Sequence, residues 1–119
     1  MSTNEIANRL AELCRQGKWA AAQKELFADD AVSIEPHSGP NFEKETRGLN
    51  AIIEKGKKFD SMVQELHRVE ISEPLIAGSA IAFKLTMDIT MKGRPRESWE
   101  ELCLYQVKDG KISSEQFFL

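Results

Sequence analysis

The sequence predicts an α+β domain in which three helices pack on one face of a curved, mostly antiparallel sheet. Two observations carry this. Apolar residues in the first half recur at helical spacing in three separate segments, and from Val63 onward the period falls to two, as in strands. The strand-forming stretches are joined by short turns, and helices gathered on one face of an antiparallel sheet make the α+β arrangement.

The first helix is expected from about Thr3 to Arg15. Ser2 and Glu5 have capping-box spacing, Ile6, Leu10, Leu13 and Cys14 follow at helical intervals, and Gly17 ends the helix. Trp19, Ala22, Leu26 and Phe27 repeat the pattern in a second short helix. Asp29 and Asp30 are read as a turn, followed by a strand from Ala31 to Glu35 with Val32 and Ile34 on one face and Ser33 and Glu35 on the other. His37 to Gly48 shows no period and reads as a loop, long enough to be functional in a compact chain. Leu49, Ile52, Ile53, Gly56 and Phe59 mark the third helix, where Lys55, Lys57 and Lys58 read as a solvated helix end. Gly56 costs about 1 kcal/mol relative to alanine there, which points to a strand or ligand packed close against it.

In the second half, Val63, His67, Val69 and Ile71 share one face of a strand that stops near Glu73 and Pro74. Ile81 to Met91 is the clearest alternation in the chain, with Ile81, Phe83, Leu85, Met87, Ile89 and Met91 on the core face. Lys92 to Pro95 turns the chain into a strand from Glu97 to Lys108 that is apolar on both faces, and Asp109-Gly110 is a hairpin signal leading to a last strand, Lys111 to Leu119. A twisted sheet coiled around a helix leaves a conical cavity at its open end. An apolar face left outside suggests a homodimer closed through the outer sheet face.

A chain of 119 residues is expected to form one domain, residues 1–119, with one core and no need of disulfide or metal staples. The net charge of −3, with both signs interspersed, gives no basic stripe for a phosphate backbone, so nucleic acid is not an expected partner. MSTNEIANRLAEL has no basic region followed by an apolar run, no segment is long enough for a membrane span, and Cys14 and Cys103 are too few for a disulfide framework. A cytoplasmic protein is the expectation.

LFADDAVSIEP, Leu26 to Pro36, is the stretch most suggestive of chemistry. The residue before a proline is pushed into extended geometry, so Glu35 sits at a stiff strand end, where a carboxylate can act as acid or base. This run after a helical hairpin, the helix GLNAIIEKG and the terminal LYQVKDGKISSEQFFL together resemble the nuclear transport factor 2-like superfamily, and within it the SnoaL-like and ketosteroid isomerase-like branch. The resemblance implies a cone-shaped, cystatin-like roll, usually a homodimer. Isomerases, polyketide cyclases and dehydratases share it, as do members without known activity, and their chemistry needs no cofactor. It places Glu35 where the isomerase branch keeps its general base ahead of a proline. It also places Leu10 at the position of that branch's oxyanion tyrosine, and Cys103 or Leu104 at that of its protonated aspartate. Losing one such donor costs ~10²-fold or more in rate, so steroid isomerisation is not the expected reaction.

The other candidates carry alternatives. Glu35 is a base in the cavity, or it points to solvent or pairs with an arginine such as Arg47. His37, two residues on, donates into the cavity mouth or is solvent-exposed. His67 lines the pocket or is a satisfied core residue. Glu101 shares a face with Trp99, Cys103 and Tyr105; either this face lines a polar pocket, or it is outward and Glu101 meets Lys84 or Arg96 at a subunit contact. Glu115 has the same ambiguity. Phe59, Phe83, Trp99 and Tyr105 would suit a flat apolar ligand, or are simply core. No metal site is expected, since nothing resembles HExxH spacing. The resulting expectation is a small-molecule-binding domain acting on an apolar carbonyl compound by isomerisation, cyclisation or dehydration, with Glu35 as base and His37, Glu101 or Tyr105 polarising the oxygen. The alternative is a non-catalytic ligand-binding or dimerisation module of the same fold.

Overall fold

The computed structural model describes Met1–Leu119. In chain order it contains α1 (Thr3–Arg15), α2 (Trp19–Leu26), β1 (Phe27–Ile34), β2 (Glu45–Arg47), α3 (Leu49–Met62), β3 (Val63–Ile71), β4 (Leu75–Ala77), β5 (Ala80–Met91), β6 (Glu97–Lys108) and β7 (Lys111–Phe118). The three helices lie on a sheet of order β2-β1-β7-β6-β5-β3, with β4 sharing the β5 edge with β3. All pairings are antiparallel except β1 with β7.

Local chemistry sets the element ends. The capping box at Ser2 and Glu5 is formed in both directions. At the other end of α1, Gly17 N–H donates to Cys14 O and Lys18 N–H to Leu13 O with Gly17 at φ 71°, which is the paired closure of a Schellman motif. Asp109 and Gly110 both have positive φ, 52° and 75°, as a type I′ hairpin turn requires.

The alternation of β5 resolves as expected. Ile81, Phe83, Leu85, Met87, Ile89 and Met91 are all buried against Ile6, Leu10, Leu13 and Ile52 of the helices. Glu97 to Lys108 and the hairpin that follows also fall where the sequence put them.

Several expectations are corrected. Asp29 and Asp30 make no turn; they lie within β1, where the advance from Phe27 to Val32 is matched on β7 only by Ile112 to Ser114, and the two aspartates are exposed on the resulting bulge while Ala31 stays buried. The loop after Pro36 contains β2, whose Glu45, Thr46 and Arg47 pair with Ile34, Ser33 and Val32. Leu75–Ala77, also unforeseen, pairs with Ala80–Ala82. Gly56 has no close neighbour: an added Cβ would come no nearer than 4.0 Å to any atom outside its own helix, the nearest being Gln23 Oε1 on α2. On β3 the register shifts between Leu66 and Arg68, which removes His67 from the face shared by Val69 and Ile71.

Candidate functional site

The inner face of the sheet carries a connected polar cluster inside an otherwise apolar core. Ser33 on β1 pairs with Glu115 on β7, and Glu115 with Tyr105 on β6, so these three side chains form one row across the concave face. Ser33 is fully buried and Glu115 is 5% exposed. Ser33 Oγ donates to Glu115 Oε2 at 2.6 Å. Lys55, reaching in from α3, donates to Ser33 Oγ at 2.6 Å and to Glu35 Oε1 at 3.0 Å. The chain Glu35–Lys55–Ser33–Glu115 therefore runs from the half-open rim to the interior; the Lys55 side chain is 14% exposed and that of Glu35 26%.

Glu35 is fixed from two sides. Its N–H donates to Lys44 O at 2.7 Å, prolonging the β1–β2 ladder by one residue, and Pro36 prevents the strand from continuing. Its carboxylate meets the Lys55 ammonium rather than solvent or Arg47, which is paired with Glu45 at 2.9 Å. Glu101, half-buried, lies on the concave face of β6 with Cys103 and Tyr105. Lys84 pairs with Glu100 and Arg96 with Asp88, so neither takes the Glu101 carboxylate.

Burial, followed by the negative charges of Glu35 and Glu115, pushes the Glu101 carboxyl up to about 7, with Lys55 acting against the shift. Burial likewise pushes Glu115 up to about 7, opposed by the Ser33 hydrogen bond and by Lys55. Two acids that hold their protons near neutrality thus stand beside an ion-paired carboxylate, the separation of roles that acid–base chemistry uses. The thiols take no such part. Burial drives Cys14 up to about 12 and Cys103 well upward, so both remain thiols, and the Tyr105 phenol is likewise raised well above its ordinary value by burial.

The aromatic candidates divide into two pairs. Phe83 and Tyr105 are buried with ring centroids 5.3 Å apart, and the half-buried Phe59 and Trp99 stand 6.2 Å apart. Two candidates lie elsewhere. His37 is exposed beyond the rim, because the chain turns away at Pro36. His67, displaced by the β3 bulge, faces the outer side, where Nε2 and Thr90 Oγ1 share a hydrogen bond of 2.8 Å and Nδ1 lies 2.9 Å from Glu65 Oε2.

Lys55 and Ser33 escaped the sequence reading. Lys55 was hidden among neighbouring lysines: Lys57 pairs with Glu54 at 3.2 Å on the surface, and Lys58 donates to Asn41 O and sits 5.4 Å above the Phe42 ring, tying the loop to α3. The available signal was spacing, since Lys55 stands three residues after Ile52 and four before Phe59, both on the packed side of the helix. Two concavities lie away from the cluster. One of about 500 Å³ is bounded by Arg15, Ile71, Ser72 and Lys84, and one of about 310 Å³ by Trp19, Phe59, Asp60, Leu66 and Met87. No group of three or more His, Cys, Asp or Glu side chains is placed to hold a metal ion, and no helix is long and apolar enough to cross a membrane.

A mostly antiparallel sheet with three helices on one side is the fold of solved proteins described as cystatin-like and as nuclear transport factor 2-like. The SnoaL-like domain model matches residues 1–119, and the chain belongs to that family. A protein from Mesorhizobium loti described as a candidate SnoaL-like polyketide cyclase is 32% identical, superposes with a TM-score of 0.92, and each chain covers 100% of the other. A candidate polyketide cyclase from Streptomyces antibioticus shares the fold at 16% identity and a TM-score of 0.74, covering 99% of this chain and 91% of its own. A ketosteroid isomerase-like protein from Catenulispora acidiphila, solved with trimethylamine, does so at 21% identity and 0.77, over 99% and 87%. Comparison with curated proteins by sequence gives no match.

Proposed function

We propose that this SnoaL-like domain binds a small, mostly apolar, uncharged carbonyl compound against the concave face and enolises it without a cofactor, Glu35 acting as base and protonated Glu101 donating to the oxygen. The products of such a step are those of an isomerase, a cyclase or a dehydratase. One observation carries the reading: the half-buried Glu35 carboxylate, paired with Lys55, lies near enough to the Glu101 and Glu115 carboxyl groups for its charge to act with burial in holding both up to about 7. Phe59 on α3 and Trp99 on β6, a half-buried aromatic pair, suit a flat ligand, and the relatives described as candidate polyketide cyclases are consistent with this class of substrate. The outer residues Leu102 and Phe118, 47% and 42% exposed and paired across β6 and β7, support a homodimer closed through that face. The two buried free thiols fit a reducing cytoplasm.

The test is solvent deuterium exchange into 2-tetralone, followed by NMR. The wild type is expected to exchange the α-protons at least ~10²-fold faster than Glu35→Gln, the usual contribution of a positioned base. Equal rates for the two proteins overturn the reading. A second reading, a non-catalytic ligand-binding or dimerisation module, is favoured by one specific feature: the Glu35 carboxylate is already satisfied by Lys55. In that case neither protein accelerates exchange above buffer.

A further inference from the structure

We propose that Lys55 is a catalytic residue of this site, its ammonium holding the ligand oxygen as negative charge develops on it. The proposal rests on the enolisation reading above and names the group that takes up the charge. An ammonium has three N–H donors. Two of those on Lys55 are committed, to Ser33 Oγ and to Glu35 Oε1, and the third has no partner in the protein. Ser33 cannot supply a donor in its place, because its single hydroxyl proton is given to Glu115. Ile52, one turn before Lys55 on α3, is apolar and offers none.

The charge balance favours this cation beside this base. In the step, the α C–H bond breaks and its proton moves to a Glu35 oxygen. The C–H electron pair becomes the new C=C bond, and the carbonyl π pair moves to oxygen as an enolate. One negative charge has left Glu35 and one has appeared on the ligand, while Lys55, 3.0 Å from the base, remains the counter-ion of whichever group carries it. Return of the proton from Glu35 to carbon at another position completes an isomerisation. The ligand must therefore be neutral when it enters, because Lys55 is already matched by Glu35. A water-excluded ammonium acting on developing oxyanion charge is worth far more than the same group in solvent.

The probe is 4-nitrophenol, whose phenolate stands in for the enolate and reports its own ionisation by visible absorbance. Glu35→Gln copies the neutral state the base reaches after taking the proton. It is expected to bind 4-nitrophenolate roughly tenfold tighter than the wild type, as a freed charge-assisted donor allows. Glu35→Gln/Lys55→Met is expected to lose that gain, Glu35→Gln/Lys55→Arg to keep it, and Lys57→Met to leave wild-type binding unchanged. If the Met variant does not fold, Lys55→Gln in the same background reads the same difference. Phenolate binding that is no tighter in Glu35→Gln than in the wild type, or equally tight with Lys55 removed, overturns the proposal. The two readings fail separately: unchanged 2-tetralone exchange in Glu35→Gln removes the base but leaves the Lys55 anion site standing.

Discussion

Glu100 and Glu101 are adjacent on β6 and occupy opposite faces of one sheet. Glu100 lies exposed on the convex side, 3.4 Å from an equally exposed Lys84, in a contact worth little because water competes for both partners. Glu101 lies on the concave side with Cys103 and Tyr105, and burial with like charge around it pushes its carboxyl up to about 7. The helix lysines repeat the contrast, since Lys57 meets Glu54 at the surface whereas Lys55, two residues earlier, sits beneath α3 between Glu35 and Ser33. Residue type therefore says little about a charged group in this chain. What matters is the face: the alternation of a strand or the turn of a helix decides whether the same carboxylate is a solubilising charge or an acid near neutrality.

The largest test of this contrast compares apolar positions on the two faces. Ile81 is fully buried on the concave side and Leu102 half-exposed on the convex side. Ile81→Ala is expected to cost ~2–5 kcal/mol in urea unfolding through the cavity it leaves. Leu102→Ala is expected to stay within about 0.5 kcal/mol at concentrations where the chain is monomeric, and to weaken self-association in sedimentation if the convex face is the dimer contact. Equal costs at the two positions would mean the faces are not distinct.

Next in size is the pH dependence of the interior acids. The folded value of Glu115, about 7, lies above its ordinary value of 4.5, so between those two pH values the folded chain holds a proton that the unfolded chain has released. Its contribution is fully present below about 4.5 and is lost as pH rises through about 7, to a total of order 3 kcal/mol. Glu101 acts in the same direction. Denaturant unfolding at pH 5 and pH 8 should therefore show the wild type weaker at pH 8, and Glu115→Gln with a visibly shallower slope. A slope unaltered by that substitution places the titration elsewhere.

The smallest effect lies on the flank of α3. Nothing but the Gln23 side chain approaches Gly56, at 4.0 Å, and its backbone is helical. Gly56→Ala is expected to raise stability by up to about 1 kcal/mol through reduced freedom of the unfolded chain. A loss instead would reveal a close approach of α2 to α3.

Much of the fold was legible because its signals are local. The helix cap at Ser2, the Asp109-Gly110 turn and the apolar alternation of Ile81 to Met91 are each decided within a few residues by hydrogen bonding or by side-chain period. β2 and β4, three residues each, were not legible, because strands so short have no period and exist only where a partner edge is waiting. The bulges in β1 and β3 were hidden for a related reason. An extra residue in one strand is defined by the register of its neighbour, and that register is what turned His67 to the outer face.

In the site, the sequence alone determined that Glu35 would be held in extended backbone before Pro36, and that Glu101 would share a face with Trp99, Cys103 and Tyr105. Which way that face points was decided only by the assembled sheet. The parallel pairing of β1 with β7 brings Ser33 to Glu115 across 82 residues of chain, and the seating of α3 turns Lys55 inward to join them. Contacts of that range leave no local mark, because they are fixed by packing of whole elements against one core, while short-range hydrogen bonding and periodicity fix only the elements themselves.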